Sequence, residues 1–297
     1  SKGGSGKNGE EEDTSTPDLL ALYKSYCKQA EIFICKCIET QINLLLEEGG
    51  NLNELLINEY IGEEGCIEFA RALKTINYKH LQSIRIWEGQ IGNQGVIRAF
   101  YNFISEYKVN SIQLIELINC GFGVLGCEFL SRLLNPLSSY QIKILTLDHN
   151  NIGDEGFSFI ANALRFNTVL TQLSLNYCGI SNNSLEDLKI IFENDSKIER
   201  FSIQGNRIEN KTISRFLSFL SDRSDTMLEE LNLCNTYCGS NDEFINAWLN
   251  CINNNTTIHT YNMRFNTIST LEFKAMLKVL ADQKSKKDDH IFSIQLD

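Results

Sequence analysis

Residues 142–164 read IKILTLDHNNIGDEGFSFIANAL. Apolar residues at Ile142, Leu145 and Leu147 give the pattern L-x-x-L-x-L, which is typical of a short strand with one buried face. A turn follows that contains Asn150 and the sequence Ile-Gly-x-x-Gly. From Phe157 onward, apolar residues recur three and four positions apart, as they do on the buried side of an amphipathic helix. The stretch therefore predicts one strand, one turn and one helix.

This unit is repeated along the chain, and its period decides the architecture. The strand pattern begins, at intervals of 28 to 31 residues, at Leu52, Leu81, Ile112, Ile142, Leu170, Ile198, Leu228 and Ile258. The strands are predicted near residues 54–58, 83–87, 114–118, 144–148, 172–176, 200–204, 230–234 and 260–264. One such unit cannot bury its apolar face alone, so we expect the units to stack into a single continuous array.

These motifs, from Leu52 to Asp297, resemble the ribonuclease-inhibitor class of leucine-rich repeats. The resemblance implies an α/β solenoid, a right-handed β-α superhelix with a curved parallel sheet inside and helices outside. It also implies that Asn150, and Cys178 at the same position of the next repeat, lie inside the turns. We expect local distortion where the pattern is broken, at Tyr60, Gly89 and Thr236.

The composition divides the chain into three parts. Residues 1–16 form an acidic Gly/Ser tail with too little apolar surface to fold alone, so we expect disorder there. Residues 17–50 are predicted to be an N-terminal helical cap, with one helix from Asp18 to Glu47 between Pro17 and the Gly49-Gly50 stop signal. Residues 51–297 are the solenoid of eight repeats plus a terminal strand, which Ile291, Ile294 and Leu296 supply.

The charge of the chain bears on its partners. The net charge is −11, and the single lysine-rich run, residues 284–287, is followed at once by two aspartates. Phosphate backbones and anionic membranes attract clustered basic surfaces, so we expect no nucleic acid and no membrane as partner. The N-terminal residues are polar and acidic, unlike a signal peptide, which favours a cytoplasmic location, with a cytoskeletal or ciliary one also open.

No sequence motif of catalysis, nucleotide binding or cofactor binding is present, so we predict a protein without enzymatic activity or cofactor. The ten cysteines are spread along the chain, which favours free buried thiols. The close pairs Cys35/Cys37 and Cys234/Cys238 lack a second pair at zinc-site spacing. The four histidines fall in different repeats, so no metal site is expected.

We therefore predict a protein-binding scaffold or a subunit of a larger assembly. The resemblance leaves two alternatives. Ran GTPase-activating proteins contain similar repeats, and in that reading the candidate residues are the arginines Arg85, Arg207 and Arg264. Subunits of ciliary axonemal complexes are also similar, and they would use the repeats as structural elements.

The predicted partner surface lies on the concave face, where residues between the buried positions of each strand point outward. The first outward column is Leu56, Arg85, Glu116, Thr146, Ser174, Ser202, Asn232 and Asn262. The second is Asn58, Trp87, Ile118, Asp148, Asn176, Gln204, Cys234 and Arg264. A tryptophan with aliphatic and arginine neighbours is typical of a binding hot spot, so we predict partner contacts at Leu56, Arg85, Trp87, Glu116 and Ile118. The alternative is that the cap or tail covers this patch. The polar residues that both columns carry in the later repeats are expected to be solvated.

Overall fold

The computed structural model describes residues 15–104, 111–138, 140–223, 225–239, 241–284 and 293–296. Residues 1–14, which hold most of the predicted tail, lie outside the described residues, and so do Ile291 and Phe292 of the predicted terminal strand. Within the described part the chain forms alternating strands and helices from β1 to β9.

Nine described strands form one parallel sheet. They are Glu54–Ile57 (β1), Ser83–Trp87 (β2), Leu114–Ile118 (β3), Ile144–Thr146 (β4), Gln172–Ser174 (β5), Arg200–Ser202 (β6), Glu230–Asn232 (β7), Thr260–Asn262 (β8) and Ser293–Gln295 (β9). Their order in the sheet is their order in the chain. The repeat period therefore translates directly into spatial neighbours, and the predicted α/β solenoid fold is confirmed.

The helices lie on one side of this sheet and close the core. They are Ser15–Gln29 (α1), Lys36–Glu48 (α2), Gly62–Thr75 (α3), Gly92–Ile104 (α4), Val124–Leu134 (α5), Gly153–Leu164 (α6), Leu185–Ile190 (α7), Asn210–Ser221 (α8), Asp242–Asn254 (α9) and Thr270–Lys284 (α10). Helices of successive repeats pack side by side. Alternate strand residues such as Leu55, Ile84 and Leu145 are buried between the two layers.

The first eight strands begin where the periodicity places them, but β4 to β8 end two residues earlier than predicted. Side chains at the ends of these strands take hydrogen bonds that the sheet backbone would otherwise make. The backbone N–H groups of Asn176 and Gln204 donate to the side chains of Asp148 and Asn176, at 2.9 and 2.8 Å. Regular strand pairing therefore stops before the last predicted positions.

The N-terminal cap contains two helices, not the single helix predicted over Asp18 to Glu47. The break coincides with Ile32-Phe33-Ile34, a β-branched and aromatic run that favours extended structure over helix. Helix α1 also begins within the predicted tail. Thr16 is buried, and its hydroxyl is 3.1 Å from the hydroxyl of Tyr78.

Helix α2 covers the outer edge of the first strand. The side chain of Gln41 accepts a hydrogen bond from the backbone N–H of Leu56 at 3.0 Å and donates one to the backbone carbonyl of the same residue. One glutamine thus supplies the donor and the acceptor that a neighbouring strand would supply. An uncovered strand edge invites pairing with another chain, so this contact protects β1.

A column of alternating asparagine and small side chains holds the turns together. Asn150 is buried and accepts the backbone N–H of Cys120 at 2.8 Å, while its amide donates to the carbonyls of Leu117 and Leu147 at 2.7 and 2.9 Å. The Asn206 side chain likewise accepts backbone N–H groups from the turn that contains Cys178, and the Asn266 side chain accepts those from the turn that contains Thr236. The expected position of Cys178 inside its turn is confirmed, and Cys120 occupies the same position one repeat before Asn150; both thiols are fully buried.

The fifth repeat departs from the pattern. Its helix is reduced to a 3-10 turn, Asn182–Ser184, and the six residues of α7. Side chains of Ser181 and Ser184 donate to the carboxylate of Asp154, at 2.6 and 2.5 Å. Serine and asparagine side chains compete with backbone bonding in this way, so the polar run Ser181 to Ser184 delays the start of the helix.

Candidate functional site

The strand register brings the predicted partner-binding residues together. Leu56 pairs with Arg85, and Arg85 pairs with Glu116, across β1, β2 and β3. Trp87 pairs with Ile118 two residues further along the same strands. The five residues therefore occupy one continuous area on the first three strands, which we call the concave patch.

Arg85 lies at the centre of this patch between two carboxylates. Its Nη1 is 3.2 Å from Glu54 and its Nε is 3.2 Å from Glu116. The side chains of Arg85 and Glu116 are 29% and 21% exposed, so this pair is partly shielded from solvent. The arginine is therefore charge-compensated within the protein, and its main role in the free chain is to fix Glu116 beside the apolar residues.

The apolar part of the patch is accessible to a partner. Trp87 is 36% exposed, which is high for a tryptophan in the middle of a sheet, and Ile118 is half-buried beside it. Leu114 and Ile144 extend the apolar surface to the fourth strand, where they are register partners and half-buried. The sequence interpretation missed these two residues because they lie two residues before the first of the two outward columns that it considered.

The cap helices do not cover the concave patch. Helix α2 packs on β1, and α1 packs on α3, while Trp87 remains exposed. Leu56 is half-buried, and its backbone is occupied by Gln41. The predicted alternative of coverage by the tail concerns residues 1–14, which lie outside the described residues.

The polar half of the concave face differs from the solvated surface that the sequence predicts. Asp148 accepts the backbone N–H and the side-chain amide of Asn176 at 2.9 and 2.8 Å. Asn176 in turn accepts the hydroxyl of Ser202 at 2.6 Å, and Asn232 donates to the same hydroxyl at 2.8 Å. Because these side chains satisfy one another, contact with a partner would replace existing hydrogen bonds and gain little.

An aromatic row borders this polar half and was not anticipated. The rings of His149 and Tyr177 are stacked, with centroids 4.6 Å apart, and the Tyr177 hydroxyl accepts from the Gln204 amide at 3.1 Å. Phe265 occupies the equivalent place three repeats later and is exposed. The signal in the sequence is an aromatic residue directly after the second outward column, where Asn119 and Asn235 stand in other repeats.

The three arginines named for the GTPase-activating alternative belong to different repeats. Arg85 lies on β2, whereas Arg207 follows β6 and Arg264 follows β8. In the described ranges no three His, Cys, Asp or Glu side chains are placed to hold a metal ion. None of the described helices has the length and apolar character needed to cross a membrane.

Comparison with known proteins places the chain among repeat proteins. No model of a known protein family matches it. The human NACHT, LRR and PYD domains-containing protein 14 is 23% identical over 186 residues, which are 61% of this chain and 16% of that protein. The mouse ribonuclease inhibitor is 30% identical over 129 residues, which are 43% of this chain and 27% of the inhibitor. The matches thus span less than a third of each relative.

Two solved structures show weaker similarity. Actin-binding site 2 of leiomodin-1 superposes with a TM-score of 0.40 at 17% identity, covering 55% of this chain and 92% of that one. The crystal structure of a TLR13–ssRNA13 complex gives a TM-score of 0.39 at 13% identity, covering 68% of this chain and 28% of that one.

Proposed function

We propose that this chain, a leucine-rich-repeat protein with ribonuclease-inhibitor-like repeats, is a non-catalytic scaffold that grips a partner protein through the concave face of its solenoid. The partner contacts centre on Leu56, Arg85, Trp87, Glu116 and Ile118. In this proposal the protein is a subunit of a larger cytoplasmic assembly, and it binds neither nucleic acid nor membrane.

The observation that carries the proposal is the accessibility of Trp87 next to Ile118. Apolar area that stays exposed on a sheet adds nothing to folding, whereas covering it with a partner removes that area from water and contributes hydrophobic free energy in proportion to it. The Arg85–Glu116 ion pair lies beside this apolar area and presents fixed charges that a complementary partner can recognise. Tryptophan and arginine are the residues most enriched in binding hot spots.

A pull-down experiment tests the proposal. Tagged wild-type protein is compared with a double variant, Trp87→Ala with Ile118→Asp, in which the concave patch loses its apolar character. The matched control is Phe166→Ala with Leu137→Asp, which alters two exposed apolar residues outside the concave face. We expect the same bound proteins for wild type and control, and their loss from the concave variant. Equal recovery by the concave variant would contradict the proposal.

The GTPase-activating alternative predicts a different result. Such a protein would accelerate phosphate release from Ran-bound GTP, and substitution of Arg85, Arg207 or Arg264 would remove the acceleration. Arg85 is held by Glu54 and Glu116 and is thereby less available for a transition state, which favours the scaffold. A ciliary role would be the same scaffold in a particular assembly, and co-purification with isolated axonemes would identify it.

A further inference from the structure

A second surface lies at the N-terminal end of the molecule, away from the concave patch. Residues 31–36, between α1 and the start of α2, and residues 59–65, which form the turn after β1 and the start of α3, line an open cavity of about 530 Å³. Two aromatic side chains stand at its border. Phe33 is 99% exposed and Tyr60 is 69% exposed. Ile32 and Ile34, on either side of Phe33, pack against the core. We call this cavity the cap pocket.

The exposure of Phe33 is not explained by the folding of its own segment. The backbone N–H of Ile32 donates to the carbonyl of Cys27 at 3.0 Å, and that of Cys35 donates to the Tyr23 hydroxyl at 3.3 Å. The segment is thus fixed on both sides by buried groups, while the phenyl ring itself projects into solvent. Because the backbone that carries Phe33 is already fixed, a partner that covers the ring has only this side chain to order.

The charge around the cap pocket is strongly negative. Glu31, Glu59, Glu63 and Glu64 line it, against the single base Lys36. The backbone N–H of Cys37, at 2.8 Å, and the Cys35 thiol hold the pKa of Glu59 below its usual value, so this carboxylate is ionised. Glu64 is paired with Arg98 at 3.6 Å. The carboxylate of Glu63 lies beside Gly92 at the start of α4, whereas within the described residues no ion pair compensates Glu31.

We propose that the cap pocket binds a basic, apolar segment of a partner protein. A Lys or Arg side chain of that segment lies between the carboxylates of Glu31 and Glu59, and an aliphatic or aromatic neighbour covers Phe33 and Tyr60. Carboxylates and aromatic faces both attract cations, so the two features select the same chemistry. The acidic run Glu10 to Asp13 of this chain has the wrong charge to occupy the site. This contact is additional to the concave patch and does not depend on it.

Selection from a random library of 12-residue peptides tests this inference, with immobilised wild-type protein as the target. We expect the recovered peptides to combine Lys or Arg with Leu, Ile or Phe. Their affinity should fall at least tenfold in Phe33→Ser and in Glu31→Gln, and it should fall further as salt is raised. Trp87→Ala should bind them normally, which separates this site from the proposed concave contact.

Two control variants match the changes in chemistry. Leu137→Ser removes another almost fully exposed apolar side chain, and Glu155→Gln removes the carboxylate that occupies, in the fourth repeat, the position of Glu64 in the first. Both should bind the selected peptides like wild type, and circular dichroism should show that all variants are folded. Acidic or uncharged peptides, no enrichment, or basic peptides that bind Phe33→Ser and Glu31→Gln unchanged would overturn the inference.

Discussion

Trp87 and Ile118 are register partners in the neighbouring strands β2 and β3, and the backbone N–H that follows Trp87 donates to the carbonyl of Ile118 at 2.8 Å. The two side chains therefore belong to different repeats but lie side by side on a rigid sheet. A partner that covers one of them also covers the other. Their contributions to binding are thus expected to be coupled.

Replacement of Trp87 by alanine is the most direct test of the concave patch. We expect the free energy of binding to the partner recovered in the pull-down to weaken by about 2 kcal/mol or more, roughly a 30-fold rise in Kd. Isothermal titration calorimetry measures this change. The thermal midpoint should change little, because the indole is exposed and fills no core space. Normal binding by Trp87→Ala would redirect attention to the convex helices or the termini.

The sequence predicts the fold because the signal is periodic. Each of the eight strand patterns that begin between Leu52 and Ile258 produces a strand, and each strand pairs with the next. The helical cap was predicted, but its division into two helices was not, since the break at Ile32 to Ile34 depends on local conformational preference without a repeat to reinforce it. Of the proposed contact surface, the sequence predicts part of the geometry. The pairing of Trp87 with Ile118 follows from the period, whereas the contribution of Leu114 and Ile144 depends on which strand positions remain accessible.

The asparagine column gives a prediction about stability. In Asn150→Ala, the buried N–H of Cys120 and the carbonyls of Leu117 and Leu147 lose their partner. We expect the free energy of unfolding to fall by about 3 kcal/mol, because unsatisfied buried polar groups are costly. Urea denaturation followed by circular dichroism measures it. The control Asn162→Ala, on the exposed side of α6, should change the value by less than about 0.5 kcal/mol.

The thiols should differ sharply in reactivity. All ten cysteines are free, nine are buried and Cys37 is half-exposed. Burial raises the pKa of the Cys66 and Cys127 thiols to about 12, so they carry almost no reactive thiolate at pH 8. We expect native protein to react rapidly at one thiol per chain with a colorimetric disulfide reagent, and Cys37→Ser to abolish the rapid phase. Several rapid thiols, or disulfide-linked peptides after alkylation without reductant, would contradict this.

Glu59 gives a prediction about pH. Its carboxylate accepts the backbone N–H of Cys37 at the start of α2, and this bond lowers its pKa in the folded state. A carboxyl group with a depressed folded pKa stabilises the protein above its unfolded pKa, and this stabilisation is lost as the pH falls through the folded value. Between about pH 6 and pH 3 the wild type should therefore lose more stability than Glu59→Gln. Parallel pH profiles of the two proteins would contradict this role.

Asparagine alternates with cysteine or threonine in the turns of successive repeats, and this alternation limits how many repeats the solenoid can gain or lose at once. Cys120, Cys178 and Thr236 each present backbone N–H groups that the asparagine of the following repeat accepts. Removal of the single repeat that contains Asn150 would join two cysteine turns and leave buried donors unsatisfied. Removal or duplication of two adjacent repeats would keep every donor beside an acceptor. We therefore expect this solenoid to tolerate the gain or loss of repeats in pairs better than singly.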